Sequence, residues 1–355
     1  MTENIKHNYG IDLVRIVAML MIIAHHFSLH SGFEFNCVSA NSVFLDVLAL
    51  GGKTGVNIFI LITGFCSAGK IKNKKLINLI GNATLYSVIL TMIASSCGYV
   101  AYSKKMFLKA CFPFLFGNNY WFIVTYLELY ILSPLLNVVV SNLDEKKYQR
   151  YLVFFTCLLC VFPSIVVRFI QINDFGYNSL IWFIYLYFIG SYLKLYGLPN
   201  FFRGYETYLP LLTSCFILVH ILACIGSQVY TETNFANNIL ECLADYDANA
   251  IMPLFIAISM FLIFEKVEVH KGKRLLRKVS TATLGVYLFH DNVNFRLVLW
   301  DLCKVVLSLN EDNVLFMLSS IACIVIVFVT GTVIELMKDV VVKKVYYIAK
   351  VSKGV

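Results

Sequence analysis

"DLVRIVAMLMIIAHHFSLHSG", residues 12–32, decides how this chain is read. The stretch is apolar enough, and long enough, to cross roughly 30 Å of hydrocarbon. Yet it holds Asp12, Arg15, His25, His26 and His30. A charged side chain near the centre of a span costs about 2.5–3.5 kcal/mol on insertion scales, and such groups are kept where they line a polar path or a site. Arg15 and His26 are eleven positions apart, which brings them within roughly 20° of three full helical turns and about 16 Å apart along the axis. They share one helix face. Asp12 precedes Arg15 by three residues and can neutralise it as an i,i+3 pair. His25 points roughly 100° away from His26, so the two imidazoles serve different faces.

Composition widens that reading to the whole chain. Of 355 residues, 59% are hydrophobic and 14% charged, with a mean hydropathy of +0.76. A soluble domain carries about 25% charged residues. The chain therefore reads as one all-α domain, residues 1–355, a polytopic transmembrane bundle of about ten spans. Apolar runs bounded by charge clusters and Gly, Pro or Asn fall at 11–29, 43–67, 77–99, 119–140, 151–170, 179–195, 208–226, 248–264, 281–300 and 313–336. Residues 106–117, "MFLKACFPFLFG", are too short to span and read as an interfacial or re-entrant piece. No A-x-A-like site follows the first run, so a retained span is expected rather than a removable signal peptide.

Loop charge orients the bundle. With the amino terminus in the cytoplasm, the inner segments hold 21 Lys and Arg and the outer segments 4. Under the positive-inside rule this favours an even number of spans with both termini cytoplasmic. The net charge of +8 then follows from topology, and no nucleic-acid partner is expected. Eleven cysteines are scattered, mostly in apolar runs. Cys157 and Cys160 form a CxxC inside "YLVFFTCLLCVFPSIVV", where small polarizable side chains pack. No Cys/His spacing resembles a zinc site, and no metal is expected.

Other polar residues lie where lipid should be. "GKTGVNIFILITGF" (52–65) carries Lys53 and Asn57 among glycines, which permit close helix approach. "NNYWFIVTYLELYILSPLL" (118–136) carries Glu128 inside its span, near Trp121, Tyr126 and Tyr130. Tyr120 and Trp121 also suit an interfacial aromatic anchor. "TLGVYLFHDNVNFRLVLW" (283–300) holds His290, Asp291, Asn292, Asn294 and Arg296, a density that suits a protein-lined cavity better than lipid.

At these motifs the sequence resembles the acyltransferase 3 family of integral membrane acyltransferases. Arg15 through His26 is similar to the family's Arg/Lys-x10-His pattern, with Asp12 where an acidic residue is common. "GVNIFILITGF" (55–65) resembles a second-span segment ending Ser-Gly-Phe, with Thr63 in place of the serine. "NYWFIVTYLELYILSPLL" (119–136) resembles an aromatic-led span ending in proline, and "GVYLFHDNV" (285–293) a late Tyr-x-x-His segment. Where the family has Arg-x-x-Arg after the second span, "KIKNKK" offers Lys72 and Lys75. Lysine supplies charge but not the bidentate fork.

The resemblance implies a multi-pass protein of a bacterial inner or plasma membrane that moves an acyl group, often acetyl, from cytoplasmic acyl-CoA to a cell-surface or exported glycan. Acetyl-CoA would be a co-substrate. Attack by a sugar hydroxyl needs a base, and histidine is best matched to that task near neutral pH. His26 is the expected base or acyl relay. Arg15 is expected as the second catalytic residue, and it is a candidate with Lys72 and Lys75 for the donor phosphates. Asp12, Asn57, Thr63, Trp121, Glu128 and His290 are expected to line the cavity. The 227–249 loop, with Glu232, Glu241, Asp245 and Asp247 and no Lys or Arg, faces outward in this topology, where an acceptor would arrive.

Two other functions compete. A transporter or flippase of glycan or lipid intermediates would use the same intramembrane residues as a substrate or proton path, but the chain shows no internal repeat of the kind common in transporters. A haem protein would pair His25 or His26 with His290 or His220, but those spans carry no second histidine at the spacing that would build the usual multi-haem arrangement.

Overall fold

The structure, a computed structural model, describes residues 7–33, 35, 38–67, 73–115, 120–170, 178–199, 202–230, 235–306 and 313–352. Their regular structure is helical throughout. The helices are α1 (Tyr9–His30), α2 (Ala40–Phe65), α3 (Asn73–Ser96), α4 (Lys104–Cys111), α5 (Trp121–Ser141), α6 (Glu145–Ile165), α7 (Ser179–Tyr196), α8 (Leu209–Val229), α9 (Phe235–Ala244), α10 (Ile251–Glu265), α11 (Lys273–His290), α12 (Arg296–Val306) and α13 (Asn313–Ser352). Eight of them are long and apolar enough to cross a membrane: α1, α2, α3, α5, α6, α7, the α8 segment and α13.

The expected eighth span is the shorter apolar α10. The expected ninth, 281–300, is not one helix. α11 stops at His290, and α12 starts at Arg296. The break is built by Asn292, whose Oδ1 accepts the backbone N–H groups of Asn294 and Phe295, both at 3.1 Å. Its Nδ2 donates to the Tyr120 hydroxyl at 3.0 Å. A short amide side chain that offers the backbone its own acceptor competes with helix continuation. The expected interfacial piece overlaps α4, which has one buried residue, Ala110.

α1 and α2 form the centre. About two thirds of the apolar window of each is buried inside protein, against 22% for α6 and the α8 segment. α1 packs on α2, α10, α11 and α13, while α2 also packs on α7 and α8. In lipid the hydrophobic effect does little to hold helices together, so close approach and interhelical hydrogen bonds carry the packing. A Cβ on Gly64 would strike the Tyr187 carbonyl, and one on Gly190 would strike that of Leu61. These reciprocal approaches lock α2 to α7.

Asn8 caps α1 by accepting from Gly10 and Ile11, and its amide donates to the Glu265 carbonyl at 2.8 Å. The start of α1 therefore lies beside the end of α10. α1 runs from an Arg15 end to a His26 end, and α11 runs alongside it.

Candidate active site

At the Arg15 end, Nη1 of the guanidinium donates to Asp12 Oδ1 at 3.2 Å and to Ser280 Oγ of α11 at 2.9 Å. Ser280 donates its own proton to the same Oδ1 at 2.9 Å, and His7 Nε2 lies 2.6 Å from Oδ2. Asp12 is buried and its oxygens are fully used. The i,i+3 pair is thus compensated by a network, as a buried charge requires.

Arg15 also lines a cavity of about 580 Å³ between α1, α2, α3, α5 and α11. Arg15, Lys74 and Lys75 supply its cations, Asn78 and Asn82 follow on α3, and the walls are mostly apolar. Lys75 Nζ donates to the Tyr126 hydroxyl at 3.1 Å and sits 4.7 Å from the Tyr130 ring centroid. The cavity reaches Ile22, one turn before His26, and Tyr287 on α11. The Tyr287 hydroxyl lies beside the Asp291 carboxylate.

The His26 end is a cluster of imidazoles held by charged groups. His26 Nε2 is 3.6 Å from Asp291 Oδ1, ion-pair range rather than a formed hydrogen bond. Its ring centroid is 5.0 Å from that of His290 and 5.8 Å from that of His30. Arg296 Nη1 lies 3.9 Å from the same Asp291 oxygen and donates to His30 Nε2 at 3.3 Å.

Hydrogen-bond chemistry assigns the His290 tautomer. A carbonyl accepts, so His290 carries its proton on Nδ1, which donates to Val286 O at 2.6 Å. Its Nε2 is left with a lone pair. His26 makes no such bond; the Asp291 carboxylate 3.6 Å from Nε2 favours the proton there by charge alone, which puts the lone pair on Nδ1. Both of these nitrogens are buried and have no hydrogen-bond partner among the described residues. The His26 side chain nevertheless keeps 13% of its surface open. A buried imidazole nitrogen with no partner thus lies one turn beyond the end of the cavity.

Residues 8–334 match the acyltransferase 3 family, described as an acyltransferase domain. This chain belongs to that family. The match covers nearly the whole chain, and the protein is a membrane acyltransferase. No curated protein and no solved structure matches it.

In this acyltransferase the predicted site residues divide into three groups. Arg15, Thr63 and Lys75 line the cavity. His26 and His290 meet beyond its inner end. Asp12 sits beneath Arg15, and Trp121 stacks under Lys53, whose Nζ is 4.5 Å from its ring centroid. Among the described residues, Asp12, Trp121, His290, Asn57 and Glu128 do not line this cavity. Asn57 is fully buried away from the cavity, donating to Ala248 O at 2.8 Å and accepting from Trp182 Nε1 at 3.0 Å. These bonds explain an amide in a span without any role in a cavity. Glu128 sits on the exposed flank of α5, while Phe122, Ile123 and Tyr126 turn the other flank to the cavity. Lys72 and Glu232 lie outside the described residues.

The sequence reading noted Asp291 and Arg296 only within a polar stretch and did not name Ser280 or Tyr287, which adjoin Arg15 and the cavity. Asp291 was the most findable, because a carboxylate beside an intramembrane histidine is the usual means of orienting its ring.

Proposed function

We propose that this acyltransferase moves an acetyl group from acetyl-CoA to a hydroxyl of a cell-surface or exported glycan, with His26 Nδ1 as the base. The observation that carries this reading is the order of groups along α1. A cavity with three cations at the Arg15 end leads to Ile22 and Tyr287, one turn short of an imidazole with a free lone pair.

The donor's phosphates match Arg15, Lys74 and Lys75, since charge-assisted hydrogen bonds to phosphate are the strongest such side chains form. The roughly 16 Å from Arg15 to His26 is the distance left for the pantetheine arm. The mostly apolar walls suit that arm and exclude water from the thioester. The 21-to-4 asymmetry of basic residues supports placing both termini and the cation-lined end in the cytoplasm, where acyl-CoA is found.

In the reaction, Nδ1 of His26 takes the proton of the acceptor hydroxyl as its oxygen attacks the thioester carbonyl. The tetrahedral intermediate collapses with cleavage of the C–S bond, and the departing thiolate takes the proton from the imidazolium. Asp291 holds the ring in the required tautomer and offsets its positive charge. The same lone pair permits an acetyl-imidazole relay, in which CoA leaves before the acceptor reacts.

The donor path is tested with the purified protein in nanodiscs by following release of free CoA. A Lys74→Gln/Lys75→Gln double variant changes two exposed residues. The expected result is a rise of about tenfold in the KM for acetyl-CoA, about 1.4 kcal/mol, with kcat kept within about twofold. An unchanged KM would remove this cavity as the donor site.

A further inference from the structure

One wall of the Arg15 cavity carries polar groups that phosphate binding does not use. Lys74, Asn78 and Asn82 of α3 all line it, at intervals of four residues. Side chains so spaced stand one above another on a helix face, about 6 Å apart along the axis. The stripe runs from an ammonium to two carboxamides, away from the cation-lined end.

Asn82 is held from behind by α13. Lys338 Nζ donates to Asn82 Oδ1 at 3.1 Å and to Glu335 Oε1 at 2.6 Å. Glu335 is buried, its Oε2 accepts from the Tyr86 hydroxyl at 2.8 Å, and a Cβ on Gly285 of α11 would strike its carboxylate. An ammonium only donates, so the oxygen of the Asn82 amide faces Lys338 and its NH2 end is left over. Among the described residues Asn82 Nδ2 makes no hydrogen bond, and Asn78 makes none at all. The hydroxyls of the same cavity are mostly in use. Those of Thr63, Thr281 and Thr283 donate to carbonyls of their own helices, and that of Ser280 donates to Asp12. The neutral N–H donors that this wall still offers are the two carboxamides.

We propose that Asn78 and Asn82 form an amide ladder that binds the pantetheine arm of the donor, with Asn82 set in place by the Lys338–Glu335 pair. Pantetheine carries two amides joined by a two-carbon link, so its two carbonyl carbons stand about 5 Å apart when extended. That is close to the rise of about 6 Å between the two asparagines. Each arm carbonyl accepts from one carboxamide NH2, and the oxygen of Asn78 can take an arm N–H in return. Arm amides drawn from water between apolar walls need such partners. The inference rests on the acetyl-CoA reading above and adds to it the residues that recognise the arm apart from the phosphates. Lys338 acts through Asn82 and is a positioning residue.

The test measures binding of two probes to the full-length protein in nanodiscs. One is CoA; the other is adenosine 3′,5′-bisphosphate, which keeps the phosphorylated nucleotide and lacks the arm. Asn82→Leu is expected to raise the Kd of CoA about fivefold, and Asn78→Leu/Asn82→Leu at least twentyfold, with the Kd of the bisphosphate within twofold of wild type. Lys74→Gln/Lys75→Gln is expected to weaken both probes alike. Lys338→Met should copy Asn82→Leu, and Lys338→Arg, which keeps a donor, should stay within twofold of wild type. Lys338→Met also strips Glu335 of its cation, so Asn82→Asp, at a half-exposed position, is the variant that spares the fold. It keeps an oxygen toward Lys338 and replaces the NH2 by a second oxygen, and it is expected to weaken CoA at least tenfold at an unchanged melting temperature. CoA affinity unmoved by the Asn82 variants, or an equal loss for the bisphosphate, overturns the ladder. A wild-type protein that binds neither probe overturns the acetyl-CoA reading itself, and the ladder falls with it.

Discussion

His26 has two ring nitrogens, and its neighbours divide the work between them. Asp291 Oδ1 faces Nε2 at 3.6 Å, while Nδ1 is buried without a partner. Replacing the carboxylate by an amide keeps the shape but no longer fixes which nitrogen carries the proton. Asp291→Asn is therefore expected to lower kcat by about 10²-fold while the acetyl-CoA KM stays within about twofold. Steady-state kinetics of CoA release would show it, and a kcat within threefold of wild type would mean that Asp291 does not orient the ring. At this scale the sequence was half legible. Arg15 and His26 stood out because charge and imidazole are rare in lipid. Glu128 stood out for the same reason, but hydropathy does not fix which flank of a helix meets the cavity. The bonds of Asn57 were not legible, because its partners, Ala248 and Trp182, are 191 and 125 residues away in the chain.

The elements that matter most are α2, which packs tightest on α1, and the interrupted α11–α12. A Cβ on Gly52 would run into the His25 ring, and one on Gly55 would come within 2.6 Å of the Ala18 carbonyl. Gly52→Ala is expected to destabilise by about 1–3 kcal/mol, as overpacking does, and to displace His25 from Ala49. Gly81 on α3 has open space around it, so Gly81→Ala serves as the matched control and should melt at or above the wild-type temperature. Thermal unfolding of the two purified variants compares them, and equal melting temperatures would contradict the close α1–α2 contact. The spans themselves were readable from apolar runs and their charged borders. The α11 stop was not, because Phe295, Leu297 and Leu299 continue the apolar pattern past it. The signal was polar and local: Asp291, Asn292 and Asn294, residues whose side chains compete for backbone hydrogen bonds.

Across the whole molecule, two cavities flank one helix. The proposed donor cavity meets α1 near Arg15, the second meets it near Ser28, and His26 lies between. In the proposed reaction the acyl donor and its acceptor arrive from opposite faces of the membrane. That arrangement requires both termini on the cation-lined side. A green fluorescent protein fused after Val355 should therefore fluoresce, and alkaline phosphatase fused there should be inactive; the reverse pair would invert the proposed donor and acceptor faces. The helical, membrane-spanning class was legible in composition, whereas the meeting of α1 with the end of α11 was not. Nothing local in either segment reports a contact spanning more than 260 residues. The claim on which the rest depends is that His26 performs the chemistry between those faces. Its most direct measurement is acetyl-CoA-dependent transfer by His26→Ala beside the wild type in nanodiscs. The predicted result is a loss of at least about 10²-fold in kcat with acetyl-CoA still bound, and turnover at the wild-type rate would contradict it.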